Sequence, residues 1–219
     1  MASHVEENYL KCIYGLGLKS PEGVSTNSIA QKIEATAPSV SDMLKKLSAK
    51  GWVDYKKYKG ASLTDTGLEI AIEVIRKQRL WEVFLVEKLD FKWDEVHDLA
   101  EQLEHIRSKE LTNRLDAFLD RPRVDPHGDP IPDAEGKILV DKSSITLSRA
   151  QLNQALIVVG VKDSSNDFLR YLDSTGLTLG AQLEVQEHYS FDQSLLLKFA
   201  EGQIQVSAQV AKNLIVKPS

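Results

Sequence analysis

Apolar side chains return every three or four positions through the first half of the chain. They fall into short runs in the last third, so helices are expected first and strands later. Val5, Tyr9, Leu10, Ile13, Tyr14 and Leu16 set a helix over about residues 4–18, closed by the Pro21–Gly23 turn. A shorter helix at about 26–34 carries Ile29, Ala30 and Ile33 on one side, and another follows at about 37–50. Thr36 suits its cap, Pro38 its first turn, and Gly51 stops it. "WVDYKKYKGASLT" (52–64) is rich in aromatic and β-branched residues around a Lys-Gly turn, which predicts a small hairpin. "TDTG" then opens a long helix at about 65–89, another starts near Trp93, and a further one covers about 108–119.

Residues 120–142 break the pattern with four of the seven prolines, which marks a linker. Beyond it, "QALIVVGVKD", "AQLEVQEHYS", "SLLLKFAEG" and "QIQVSAQVAKNLIV" predict strands, with one helix at "SNDFLRYLDS". The fold class is therefore mainly α with a small β domain. No apolar run is long enough to span a membrane, and no secretory leader is visible. Cys12 is the only cysteine, which fits a reducing, cytoplasmic setting.

Helix, short helix, turn, helix and hairpin follow one another in the order of a winged helix–turn–helix, whose second helix enters the DNA major groove. The net charge of −5 argues weakly against nucleic acid, but charge is unevenly spread. Between residues 42 and 60, six lysines stand against Asp42 and Asp54. Candidate DNA contacts are Thr26, Thr36, Pro38, Ser39, Ser41 and Asp42 near the helix starts, with Lys45 and Lys46 on the helix and Lys56, Lys57 and Lys59 on the wing. Lysine-rich turns are common on solvated hairpins; the helix pair before this one favours DNA.

"HDLAEQLEHI" (97–106) holds the candidate chemistry. On a continuous helix, His97, Glu101, Glu104 and His105 share one arc of about 100°, opposite Val96, Leu99, Leu103 and Ile106. Imidazole with carboxylate suits divalent transition ions. Glu82 on the long helix is a candidate partner, whereas His4, His127 and His188 read as surface or loop histidines. No nucleophile, phosphate loop or acid–base pair accompanies these groups, so an enzyme is not expected.

Four stretches in order carry a family resemblance: "ENYLKCIY", "TAPSVSDMLKKLSAKGWV", "RKQRLWEVFL" with "VHDLAEQLEHIRS", and "DPHGDPIP". Together they resemble the DtxR/MntR family of metal-dependent transcriptional regulators. The resemblance implies a winged helix–turn–helix at 1–70, a helical metal-binding and dimerisation domain at 71–122, a proline-rich linker at 123–143 and an SH3-like β-barrel at 144–219. It implies a homodimeric repressor that binds double-stranded operator DNA when loaded with Mn(II) or Fe(II). It places one ion on Glu101, Glu104 and His105 with Asn8, and a second on Glu82 and His97 with Gln78. Glutamate at 101 favours Mn(II) over Fe(II). Asn8 and Gln78 replace stronger ligands, Lys11 would repel a cation, and Asp163 is a possible donor from the third domain. The alternative is a winged-helix regulator whose metal site has lost its sensing role.

Overall fold

A computed structural model describes residues 2–20, 22–56, 59–139, 141, 143–199 and 202–219. The chain divides into two compact units. The first comprises Met1–Gln78, Leu103–Ser108 and Pro132–Lys137; the second comprises Arg79–Gln102, Lys109–Ile131 and Ile138–Ser219.

The first unit holds α1 (His4–Gly17), α2 (Thr26–Lys32), α3 (Ala37–Ala49), β1 (Val53–Lys56), β2 (Gly60–Leu63) and the opening turns of α4 (Asp65–Leu89). Each of the first three helices starts on a hydroxyl cap: Ser3 in a capping box with Glu6, Ser25, and Thr36, whose side chain accepts from the Ser39 amide. Leu10, Ile13, Ile29, Val40, Leu44 and Leu47 interlock as a core shared by all three. β1 and β2 pair antiparallel from Val53↔Leu63 to Lys56↔Gly60, and Val24 bridges Ala61 as a third edge. This is the expected winged helix–turn–helix. Lys57 and Tyr58 of the wing lie outside the described residues.

The wing is joined to α4 without slack. Thr64 donates its hydroxyl to the Gly51 carbonyl at 2.8 Å and accepts from the Gly67 amide at 3.1 Å. A Cβ at Gly67 would lie 1.9 Å from the Trp52 carbonyl oxygen, so α4 packs this closely only because residue 67 has no side chain. Beneath the wing, buried Glu6 receives Lys50 at 2.7 and 2.9 Å and Lys46 at 3.0 Å. Burial alone would raise its pKa. Hydrogen bonds from Lys50, the Ser3 amide and Lys46 outweigh burial and hold it at about 2.

In the second unit, Leu80 and Val83 of α4 pack on Leu115 of α6 (Lys109–Phe118) and on Leu119 and Ile131. Six antiparallel strands follow in the spatial order β3-β8-β4-β5-β6-β7. They are β3 (Ile145–Thr146), β4 (Ala155–Val161), β5 (Gln182–His188), β6 (Leu195–Phe199), β7 (Gly202–Val206) and β8 (Leu214–Pro218). α7 (Asn166–Thr175) covers one side through buried Leu169 and Leu172.

Two sequence expectations are corrected. "QIQVSAQVAKNLIV" is not one strand: Ser207 caps a short α8 (Ala208–Asn213) that separates β7 from β8. The helix of the histidine-rich stretch, α5 (Val96–Leu103), stops before Glu104. Glu104 and His105 therefore sit in the following turn, where the helical wheel does not apply. Ile106, placed on the wheel's core side, is exposed.

Gly67→Ala is expected to cost about 1–3 kcal/mol, seen as a lower urea midpoint with an unchanged slope. A variant as stable as the parent would contradict the close approach. Because the folded-state pKa of Glu6 lies below the ordinary 4.5, its contribution is complete above about pH 4.5 and is lost as pH falls towards about 2. Glu6→Gln should flatten the acid limb of stability against pH; equal slopes in the two proteins would refute the coupling.

Candidate functional site

The head presents a mixed polar surface. Pro38, Ser39, Asp42, Lys45 and Lys46 are exposed along α3, Ser41 is half-buried beside them, and Thr26 is half-buried at the start of α2. Thr36 is exposed and serves as the α3 cap. Lys56 and Lys59 stand exposed at the wing turn, with Lys57 outside the described residues. The basic patch is partly answered from within. Asp42 pairs with Lys45 at 2.9 Å, and Lys46 and Lys50 reach Glu6. The Asp42–Lys45 pair is exposed, so it exchanges readily for phosphate. Glu6 is buried, and its lysine contacts are correspondingly harder to break.

The second unit gathers three buried side chains whose ligand atoms lie within 4.8 Å of one another: Glu82 on α4, with Asp125 and His127 from the proline-rich loop. Divalent ions bond oxygen and nitrogen at about 2.0–2.2 Å, which needs ligand atoms no more than about 4.4 Å apart. The cluster is close to that spacing. Imidazole Nδ1 of His127 stands 3.4 Å from Glu82 and 4.0 Å from Asp125. Its Nε2 lies 2.9 Å from the Trp93 carbonyl. A carbonyl only accepts, so Nε2 carries the hydrogen, and Nδ1 is the nitrogen turned towards the carboxylates. His97 bonds the other Glu82 oxygen at 3.1 Å from an exposed position on α5.

The loop is built to hold this pose. One Asp125 oxygen accepts from the amides of His127 at 2.8 Å and Asp129 at 3.0 Å, which closes an Asx turn. Arg79 donates to the Pro130 carbonyl and lies 3.6 Å from the other Asp125 oxygen. Burial pushes the Asp125 carboxyl up, and the Glu82 and Asp129 carboxylates add to it. Burial works against a charged His127, but the Glu82 hydrogen bond and the Asp125 and Glu82 charges outweigh it and raise the imidazole. Burial likewise opposes a charged Glu82, yet the His127 and His97 hydrogen bonds hold it low. A divalent ion bound to such a set would displace protons from it.

His127 lies in a loop, as read from the sequence, but it is not a surface histidine: it is buried and faces two acids. Sequence reasoning missed Asp125 with it. The available signal was "DPHGDP", in which a carboxylate and an imidazole two residues apart are pinned by prolines and a glycine. Asp163 caps the Ser165 amide at 2.9 Å and is not in the cluster among the described residues.

In the first unit, buried Glu104 has both oxygens on the Lys11 ammonium, at 2.6 and 2.9 Å. The same ammonium donates to the Gln78 side-chain oxygen at 3.2 Å. His105 Nδ1 meets Glu7 at 2.6 Å, and its ring stacks on His4 with centroids 4.3 Å apart. Burial keeps the His105 imidazole below its ordinary range despite Glu7. Glu7 was also missed; it shares a helical face with Lys11 four residues on, whereas Asn8 lies about 100° further round. Asn8 is half-buried, and Glu101 is half-buried on α5 in the second unit. A divalent ion bonded to Glu104 would need the position that the ammonium holds, so these residues as arranged do not fit one.

Comparison with known proteins agrees with this architecture. Residues 1–61 match the family described as iron dependent repressor, N-terminal DNA binding domain. Residues 64–133 match iron dependent repressor, metal binding and dimerisation domain, and 145–218 match the FeoA domain. The chain is 35% identical over 128 residues to the iron-dependent repressor IdeR of Mycobacterium bovis, covering 58% of this chain and 54% of that protein. It thus spans about half the length of that curated relative. It is 30% identical over 196 residues to the diphtheria toxin repressor of Corynebacterium efficiens, covering 82% of this chain and 81% of that one. A solved manganese-dependent transcriptional repressor in complex with manganese superposes with a TM-score of 0.85 at 34% identity, covering 98% of this chain and all of the other. With three successive domains matched and a relative aligned along most of both lengths, the chain belongs to the DtxR/MntR family of metal-dependent transcriptional regulators.

Proposed function

We propose that the chain is a metal-dependent transcriptional repressor that binds operator DNA as a homodimer in the cytoplasm and controls metal-ion homeostasis genes. The observation that carries this reading is the buried Glu82–Asp125–His127 cluster in a chain with a winged-helix head. A divalent ion there supplies positive charge that the two carboxylates otherwise draw from protons. Glu82 and Asp125 offer hard oxygen, His127 offers Nδ1, and His97 stands beside Glu82 as a further donor. An oxygen-rich set without thiolate favours Mn(II), with Fe(II) the nearest competitor.

The chain's own residues suit the regulatory task. α4 begins against the wing at Trp52, and Glu82 belongs to the same helix. Ser39, Ser41 and the α3 lysines would meet bases and phosphates, with Lys56, Lys57 and Lys59 on the flanking backbone. The match to a dimerisation domain supports the homodimer, as do exposed Leu89 and Phe118 in the second unit. Metal then favours DNA binding to the extent that it binds the DNA-competent state better, and DNA favours metal equally.

Operator duplexes selected from a random library with Mn(II)-loaded protein provide the test. At fixed salt, chelation should weaken binding by about 5–150-fold, the usual range of allosteric coupling. Equal affinity with and without metal would sink the reading. Asp125→Asn and His127→Ala should each weaken Mn(II) binding by about 100-fold, since loss even of residues behind the ligands costs about 10–100-fold. Calorimetric titration at pH 7 should also record proton release on Mn(II) binding, and less of it in the His127 variant.

A further inference from the structure

We infer that Lys11 is a tethered cation occupying the place of a metal ion in the first unit, so that this chain holds one regulatory ion where two clusters of ligand-type residues stand. The inference rests on the proposed reading of the Glu82 cluster and adds what the second cluster does. Glu104 is fully buried, and a buried carboxylate must be neutralised by something. Lys11 does this with three oxygen acceptors: both oxygens of Glu104 at 2.6 and 2.9 Å and the Gln78 amide oxygen at 3.2 Å. An ammonium has three hydrogens to donate, and these three oxygens lie within reach of them.

The consequence is mechanical as well as electrostatic. Lys11 belongs to α1, and Gln78 and Glu104 lie 67 and 93 residues away in sequence. Glu7, one turn earlier on the same helix, holds His105 at 2.6 Å, and Arg107 donates to the Ala2 carbonyl at 2.7 Å. The first helix is thus fastened to the Leu103–Ser108 segment by side chains of the chain itself. A divalent ion added at Glu104 would face a fixed positive charge at hydrogen-bonding distance. The residues that make the cluster look metal-binding instead close a permanent latch, and response to metal is left to Glu82, Asp125 and His127.

Counting bound Mn(II) per full-length chain, by metal analysis after removal of excess ion, tests this directly. Wild type should hold one ion, and Lys11→Met should hold two, the added ion disappearing in Lys11→Met/Glu104→Gln. Lys11→Arg, which keeps the charge, should stay at the wild-type count. In metal-free protein, amide exchange across α1 should quicken in Lys11→Met and slow again on adding Mn(II), a rescue that a merely structural lysine would not show. Glu104→Gln in the wild-type background should leave the count unchanged; loss of an ion there, or an unchanged count in Lys11→Met, overturns the inference. The two readings fail separately. An ion that survives Asp125→Asn sinks the Glu82 site, whereas the gain of an ion on removing Lys11 does not depend on that site.

Discussion

A carboxylate withdrawn from water has to be answered by a positive charge or a proton, and the way four buried acids are answered organises this molecule. Glu6 takes two lysines of α3, Glu104 takes Lys11, Glu82 takes two imidazoles, and Asp125 takes amides, Arg79 and a raised proton affinity. Leaving any of them uncompensated would cost several kcal/mol, comparable to a large part of a domain's stability. The first two answers come from within the chain and are complete. The last two are provisional, because a proton is replaceable. Permanence in one unit and replaceability in the other is the difference on which the proposed sensing role of the Glu82 cluster rests.

The same contrast explains why similar residue types carry different prospects. The histidines 97 and 105 lie eight residues apart, each beside a glutamate. His105 is stacked and bonded into the first unit, with its neighbour Glu104 already neutralised. His97 is exposed and bonds an acid that is shared with a buried imidazole. Residue chemistry alone ranks these two equally; burial and the nearest cation do not.

Much of the head was legible because its determinants are local. Hydroxyl caps, a proline in the first turn, a stopping glycine and three-to-four spacing are short-range signals, and α1 to α4 follow them closely. The candidate metal cluster was legible only in part. Glu82 could be singled out on its helix, but Asp125 and His127 lie more than 40 residues further along in a loop with no periodicity. The end of α5 was hidden for a related reason: "AEQLEHI" has helical spacing, while Glu104 and His105 are held by partners on α1. Glu7, which holds His105, was not singled out, because position 8 was carried over from a resemblance and the partner of Glu7 lies 98 residues along the chain. Ser207 shows the same limit in the sheet, where one cap divides a run that alternates like a strand.

The loop that carries His127 meets the C-terminal sheet backbone to backbone. Gly128 has φ +85°, and a Cβ on it would lie 2.1 Å from the Val159 carbonyl oxygen; a Cβ on Gly160 would lie 3.1 Å from the carbonyl oxygen of His127, which accepts from the Val161 amide at 2.9 Å. The FeoA-type sheet is therefore a wall of the cluster's loop rather than an appendage to it. Its strand β4 is not free to drift in sequence as an independent module would be, since two glycines in separate domains must be inherited together. A chimera that exchanges this sheet between relatives has to carry the pair across, or it trades away the pose of the imidazole with the domain.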